Sequence, residues 1–107
     1  MERLRFAINV LTRLRVCTAD GRVDFALKGE PPPPPSALRP WFEHAGRLTR
    51  DLRVIFGHWS VLGLVLQPGV VGLDTGCVWG GALTALDLDS ERAPIAVPCR
   101  GYQRPGD

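Results

Sequence analysis

The chain is poor in several things that would have declared a function. Lysine occurs once, against twelve arginines, and the net charge is only +2. No broad cationic face for nucleic acid follows from so small an excess, and the arginine bias reads as a GC-rich coding sequence. Cysteine is scarce: Cys17, Cys77 and Cys99 are an odd number, far apart, with no C-x-x-C pair. That spacing does not make a zinc site, and a reduced, cytoplasmic protein is the simplest expectation. Long apolar runs are also missing. The uncharged tract 54–73 is broken by Gly57, His58, Gly63, Gln67, Pro68, Gly69 and Gly72, which argues against a membrane span. Asn9, Thr12 and Arg13 likewise interrupt any signal-peptide core near the start.

What is present is ordinary for a folded domain: 107 residues, 45% hydrophobic and 22% charged, with twelve glycines and ten prolines. Such a length supports one domain with a modest core. Between Glu2 and Arg15, Leu4, Ala7, Ile8, Leu11 and Leu14 recur at helical spacing. An amphipathic helix that covers a sheet or a helical lobe is expected. Val16–Thr18 and Arg22–Leu27 flank Asp20-Gly21, a strong hairpin signal. Five prolines, Pro31 to Pro35, form a stiff polyproline loop, with an SH3-like ligand as the functional alternative. Trp41 and Phe42 follow as loop anchors, with stacking on a base as their alternative role, and Glu43–Leu52 is expected to form a short helix.

The central stretch is more informative. Val54–Phe56 and Val70–Leu73 read as buried strands. His58 lies just past the first, where α/β sheets expose ligand-binding loops. Asp74 ends the second and either orients that histidine or caps the turn after it. Thr75 to Gly81 is a glycine-lined turn holding Cys77 and Trp79, and Cys77 has no neighbouring base to make it a nucleophile. Ala82–Asp89 is a third strand that passes from covered to solvated. Ala93–Cys99 is an edge segment limited by Pro98. The fold class is α/β, a mixed sheet with one N-terminal helix and a proline-rich loop. Residues 1–99 form the folded part and 100–107 a disordered tail.

Phe56-Gly57-His58-Trp59, followed by Leu73-Asp74-Thr75-Gly76-Cys77-Val78-Trp79-Gly80-Gly81-Ala82-Leu83-Thr84, resembles the C-terminal part of the bacterial symmetrical diadenosine tetraphosphatases. Those enzymes belong to the calcineurin-like metallophosphoesterases. Asn9 to Arg15, and Lys28-Gly29 followed by Pro40-Trp41-Phe42, match in the same order. The resemblance implies a partial phosphoesterase sandwich. It further implies a hydrolase that cleaves diadenosine tetraphosphate to two ADP by two-metal activation of water, with manganese or cobalt as the metal pair. His58 would be a metal ligand. Ser60 stands where many relatives of the wider superfamily carry a second histidine. Arg13 and Arg15 would contact phosphate, or else form a solvated basic helix end, and Asp74, Thr75, Cys77 and Trp79 would line the cleft or support the metal ligand. The Asp-x-His, Gly-Asp-x-x-Asp-Arg and Gly-Asn-His-Glu blocks that hold the rest of the metal pair do not occur in the sequence. Little or no activity is therefore expected of the chain alone. Its partners would be a dinucleoside polyphosphate, a complementing chain or a second copy; nucleic acid and membrane are not expected. The alternative is a non-catalytic binding or assembly module built on the same sheet.

Overall fold

Residues 1–101 are described by the computed structural model, so most of the expected tail, residues 102–107, lies outside the described residues. The chain divides into two units, Met1–Leu52 and the residues from Arg53 onward.

In the first unit, helix α1 spans Glu2–Arg13, with Glu2 in its first turn and Arg13 in its last, the charge order that suits a helix dipole. It ends where Leu14 turns extended (φ −62, ψ 128) and the β-branched Val16 begins a strand. Strands β1 (Val16–Cys17), β2 (Val23–Asp24) and β3 (Arg39–Pro40) form an antiparallel sheet in the order β2-β1-β3. The Asp20-Gly21 hairpin is present, with Val16 opposite Asp24 and Gly21 at a φ of +87. Val16 and Cys17 are buried because β1 is the central strand.

Two expectations are corrected in this unit. No residue of α1 is buried, and Leu4, Ile8 and Leu11 are exposed. Asn9, Val10 and Leu14 are half-buried instead, and Phe6 meets Phe25 edge to face at 6.3 Å between ring centroids. The helix thus leans on the hairpin by a face offset from its apolar stripe. Glu43–Leu52 is not a helix: a 3-10 turn covers Trp41–Glu43 and turns follow. Leu48 is 92% exposed, so a helix there would have had no apolar face to bury. Trp41 and Phe42 are half-buried and pack edge to face on each other. The proline loop contains a cis peptide between Pro34 and Pro35.

The second unit has β4 (Val54–Phe56), β5 (Val65–Gln67) and β6 (Val70–Gly72) in a mixed sheet ordered β4-β6-β5. β4 runs parallel to β6 and β5 antiparallel to it. β6 is buried throughout, whereas β4, expected to be buried, is an edge with Ile55 43% exposed. β5 is not among the expected strands; Pro68-Gly69, with Gly69 at a φ of +77, turns it into β6. β7 (Ala82–Ala85) and β8 (Ile95–Pro98) form a separate antiparallel ribbon. The third strand is therefore shorter than expected, and Leu83 on it is 65% exposed. No helix among the described residues is long and apolar enough to cross a membrane.

Candidate functional site

Parallel pairing puts the carboxyl ends of β4 and β6 side by side, with Phe56 opposite Gly72 and Leu73 N–H donating to the Phe56 carbonyl at 3.1 Å. His58 and Asp74 each follow two residues after those ends, so the two loops meet. The contact runs through the backbone of the histidine: its N–H donates to Asp74 Oδ2 at 2.9 Å. The other carboxylate oxygen, Oδ1, accepts the Gly76 N–H at 3.2 Å. Asp74 thus caps the turn that follows it and accepts from the backbone of the histidine segment. His58 is exposed and has a φ of +75, the only non-glycine residue with positive φ among those described. Trp59 beside it is 2% exposed, and Ser60 Oγ accepts the Trp79 Nε1–H at 3.0 Å.

The glycine turn is a closed structure. Thr75 Oγ1 donates to the Ala82 carbonyl at 2.5 Å and shares a hydrogen bond with Thr84 Oγ1 at 2.6 Å. Gly81 N–H returns to the Gly76 carbonyl at 2.9 Å, around a 3-10 turn at Cys77–Trp79. Thr75 and Trp79 thus brace the turn through their polar atoms. Cys77 departs most from expectation. It forms a disulfide with Cys99, Cα atoms 5.1 Å apart, which corrects the reduced state expected for these two residues. Their spacing falls in the range a disulfide requires. Cys17 alone is free, and burial pushes its thiol up from the ordinary value of 9.0.

The arginines belong to the other unit. Arg13 is exposed at the end of α1. Arg15 is half-buried: Nη1 donates to the Leu27 carbonyl at 3.2 Å, and its enclosed Nε has no hydrogen-bond partner among the described residues. Arg15 consequently staples the end of α1 to the segment after β2. His44 in the same unit is half-buried, its Nδ1 accepting the Gly46 N–H at 3.1 Å.

Among the described residues no three histidine, cysteine, aspartate or glutamate side chains converge where a cation could sit. The donor set of the described residues does not by itself fit a metal pair, which needs several converging ligands.

No family model matches the chain. Curated relatives do. Over 105 residues, 98% of the chain, it is 51% identical to a symmetrical bis(5'-nucleosyl)-tetraphosphatase of Janthinobacterium sp. (strain Marseille), and it spans 38% of that protein. Over 97% of its length it is 52% identical to the protein of that name from Bordetella pertussis, spanning 37% of it. Identity to the counterpart from Nitrosomonas europaea is 49% over 92% of the chain. Nearly the whole chain is thus homologous to a little over a third of a bacterial symmetrical bis(5'-nucleosyl)-tetraphosphatase.

Proposed function

We propose that the chain is the C-terminal portion of a symmetrical dinucleoside tetraphosphate hydrolase of the metallophosphoesterase type, which contributes His58 to a metal centre whose other ligands lie outside it. The observation that carries this is the match of about half the residues along nearly the whole chain to proteins of that name. Support comes from the position of His58 beyond the paired carboxyl ends of β4 and β6, where α/β sheets present their ligands. Arg13, exposed at a helix end, suits a polyphosphate contact. Arg15 contributes less directly, since one of its donors already holds Leu27. The substrate is diadenosine tetraphosphate and the metal manganese or cobalt.

The test is hydrolysis of diadenosine tetraphosphate with manganese or cobalt, by the chain alone and after addition of the N-terminal remainder of the Janthinobacterium relative. Turnover is expected in the mixture only, and should be abolished by His58→Ala. Metal-dependent turnover by the chain alone, lost in the same variant, would overturn the view that the centre is shared.

A second reading has its own support. β8 is exposed along its whole length, with Ile95 66% and Val97 56% exposed. Open apolar ribbons invite pairing with another chain. Silence in both assays together with concentration-dependent self-association would favour an assembly module.

A further inference from the structure

His58 is an L-residue in left-handed backbone, a region that glycine enters freely and histidine seldom does. Something must hold it there, because the strand before it ends at Phe56 and the sheet ladder does not extend to it. The structure supplies the holder from one direction. Asp74 takes the His58 N–H on Oδ2 and the Gly76 N–H on Oδ1, so one carboxylate joins the two loops. Hydrogen bonds of this kind, with an ionised acceptor, are about twice as strong as neutral ones. Two residues beyond the histidine, Ser60 Oγ receives the indole N–H of Trp79. Between the two bonds Trp59 is sunk into the protein, 2% exposed. The segment 58–60 is therefore pinned at alternate residues by the turn and in the middle by burial. The pinning turn is itself fixed, since Cys77 in the same 3-10 turn as Trp79 is bonded to Cys99.

We propose that Asp74 and Trp79 are positioning residues for His58, holding its backbone in the left-handed conformation and so setting where its imidazole is presented. The importance of this hold for catalysis rests on the role of His58 proposed above; the hold itself does not.

The experiment is amide hydrogen exchange and backbone carbon shifts by NMR on the full 107-residue chain, with Asp74→Ala and Trp79→Phe. In Asp74→Ala, exchange at the His58 and Gly76 amides should quicken by about tenfold or more, the range of a charged hydrogen bond. The His58 Cα and Cβ shifts should leave the left-handed range, while the amides of Val54 and Leu73, which belong to the β4–β6 ladder, keep their protection. Trp79→Phe should move Ser60 and His58 in the same sense but less. Should Asp74→Ala fail to fold, Asp74→Asn takes its place: it keeps a carbonyl acceptor and the shape but loses the charge, and should quicken the His58 amide by a smaller factor. Unchanged His58 exchange and carbon shifts in the folded variant would overturn the proposal. So would an equal loss of protection at Val54 and Leu73, which marks a general structural role. Neither signal involves metal or nucleotide. An intact hold with a silent hydrolysis mixture would sink the ligand role alone, and restored hydrolysis with an unmoved His58 amide would sink the hold alone.

Discussion

At the scale of single residues, the tightest constraint is at Gly81. A Cβ built there would run into the backbone carbonyl oxygen of Thr75 and stand 3.0 Å from that of Gly76. Neither atom can swing away as a side chain would, because both are tied into the turn by hydrogen bonds from Ala82 and Gly81. Gly81→Ala is expected to cost about 1–3 kcal/mol, the usual penalty of forced overpacking, read as a lower midpoint in urea unfolding. Gly29→Ala, with open space around it, is the control and should change little. Cys17 gives a pH dependence. Its thiol is pushed up by burial, so the fold favours the protonated form. The stability it contributes is fully present below the unfolded value, ordinarily 9.0, and is lost as pH rises through the higher folded value. Urea titrations from pH 8 upward should show that loss, and Cys17→Ser should flatten it. Thiol reagents at neutral pH should label Cys17 only slowly until the chain is unfolded.

At the scale of elements, legibility tracks how local the determinant is. The β1–β2 hairpin was readable because Asp20-Gly21 sets its own turn. β4 and β6 were readable from their β-branched residues. β5 was missed because Pro68-Gly69 reads equally well as a break and as a tight turn between strands. The burial of β4 was overestimated since nothing local says that it lies at an edge. His58 and Asp74 could each be picked out, but their hydrogen bond depends on β4 pairing parallel with β6, a long-range fact. The disulfide was illegible for the same reason. Cys99 meets the turn only because the β7–β8 register sets Pro98 opposite Ala82 and sends the Cys99 N–H to the Gly81 carbonyl at 2.9 Å. Its bond to Cys77 spans 22 residues, a loop whose closure is worth about 3 kcal/mol in the chain-entropy account. Reduction, or Cys99→Ser, should lower stability by roughly that amount. Exchange protection should fall first in β7 and β8, while the mixed sheet of β4, β5 and β6, which lies outside the bridged loop, keeps more of its own.

At the scale of the whole molecule, the amount of covered apolar surface governs behaviour. The buried hydrophobic residues among those described are Val16, Cys17, Trp59, Val70 and Val71, two in one unit and three in the other. Against them stand Leu4, Leu11, Leu48, Leu83 and Ile95, each more than half exposed. Domains of about this length ordinarily bury roughly two thirds of their unfolded surface, and small domains that do so usually unfold in one cooperative step. The chain on its own is therefore expected to unfold gradually in urea, with a shallow slope, and to bind a hydrophobic dye such as ANS before any denaturant is added. If the chain is one part of a hydrolase, the remainder of a relative should cover this surface and bind the folded form alone. Added at a hundred times its dissociation constant, it would then raise stability by about 2.7 kcal/mol by mass action, sharpen the transition and quench the dye. A steep transition and no dye binding by the isolated chain would show instead that its two small cores suffice, and would remove the physical reason for a covering partner.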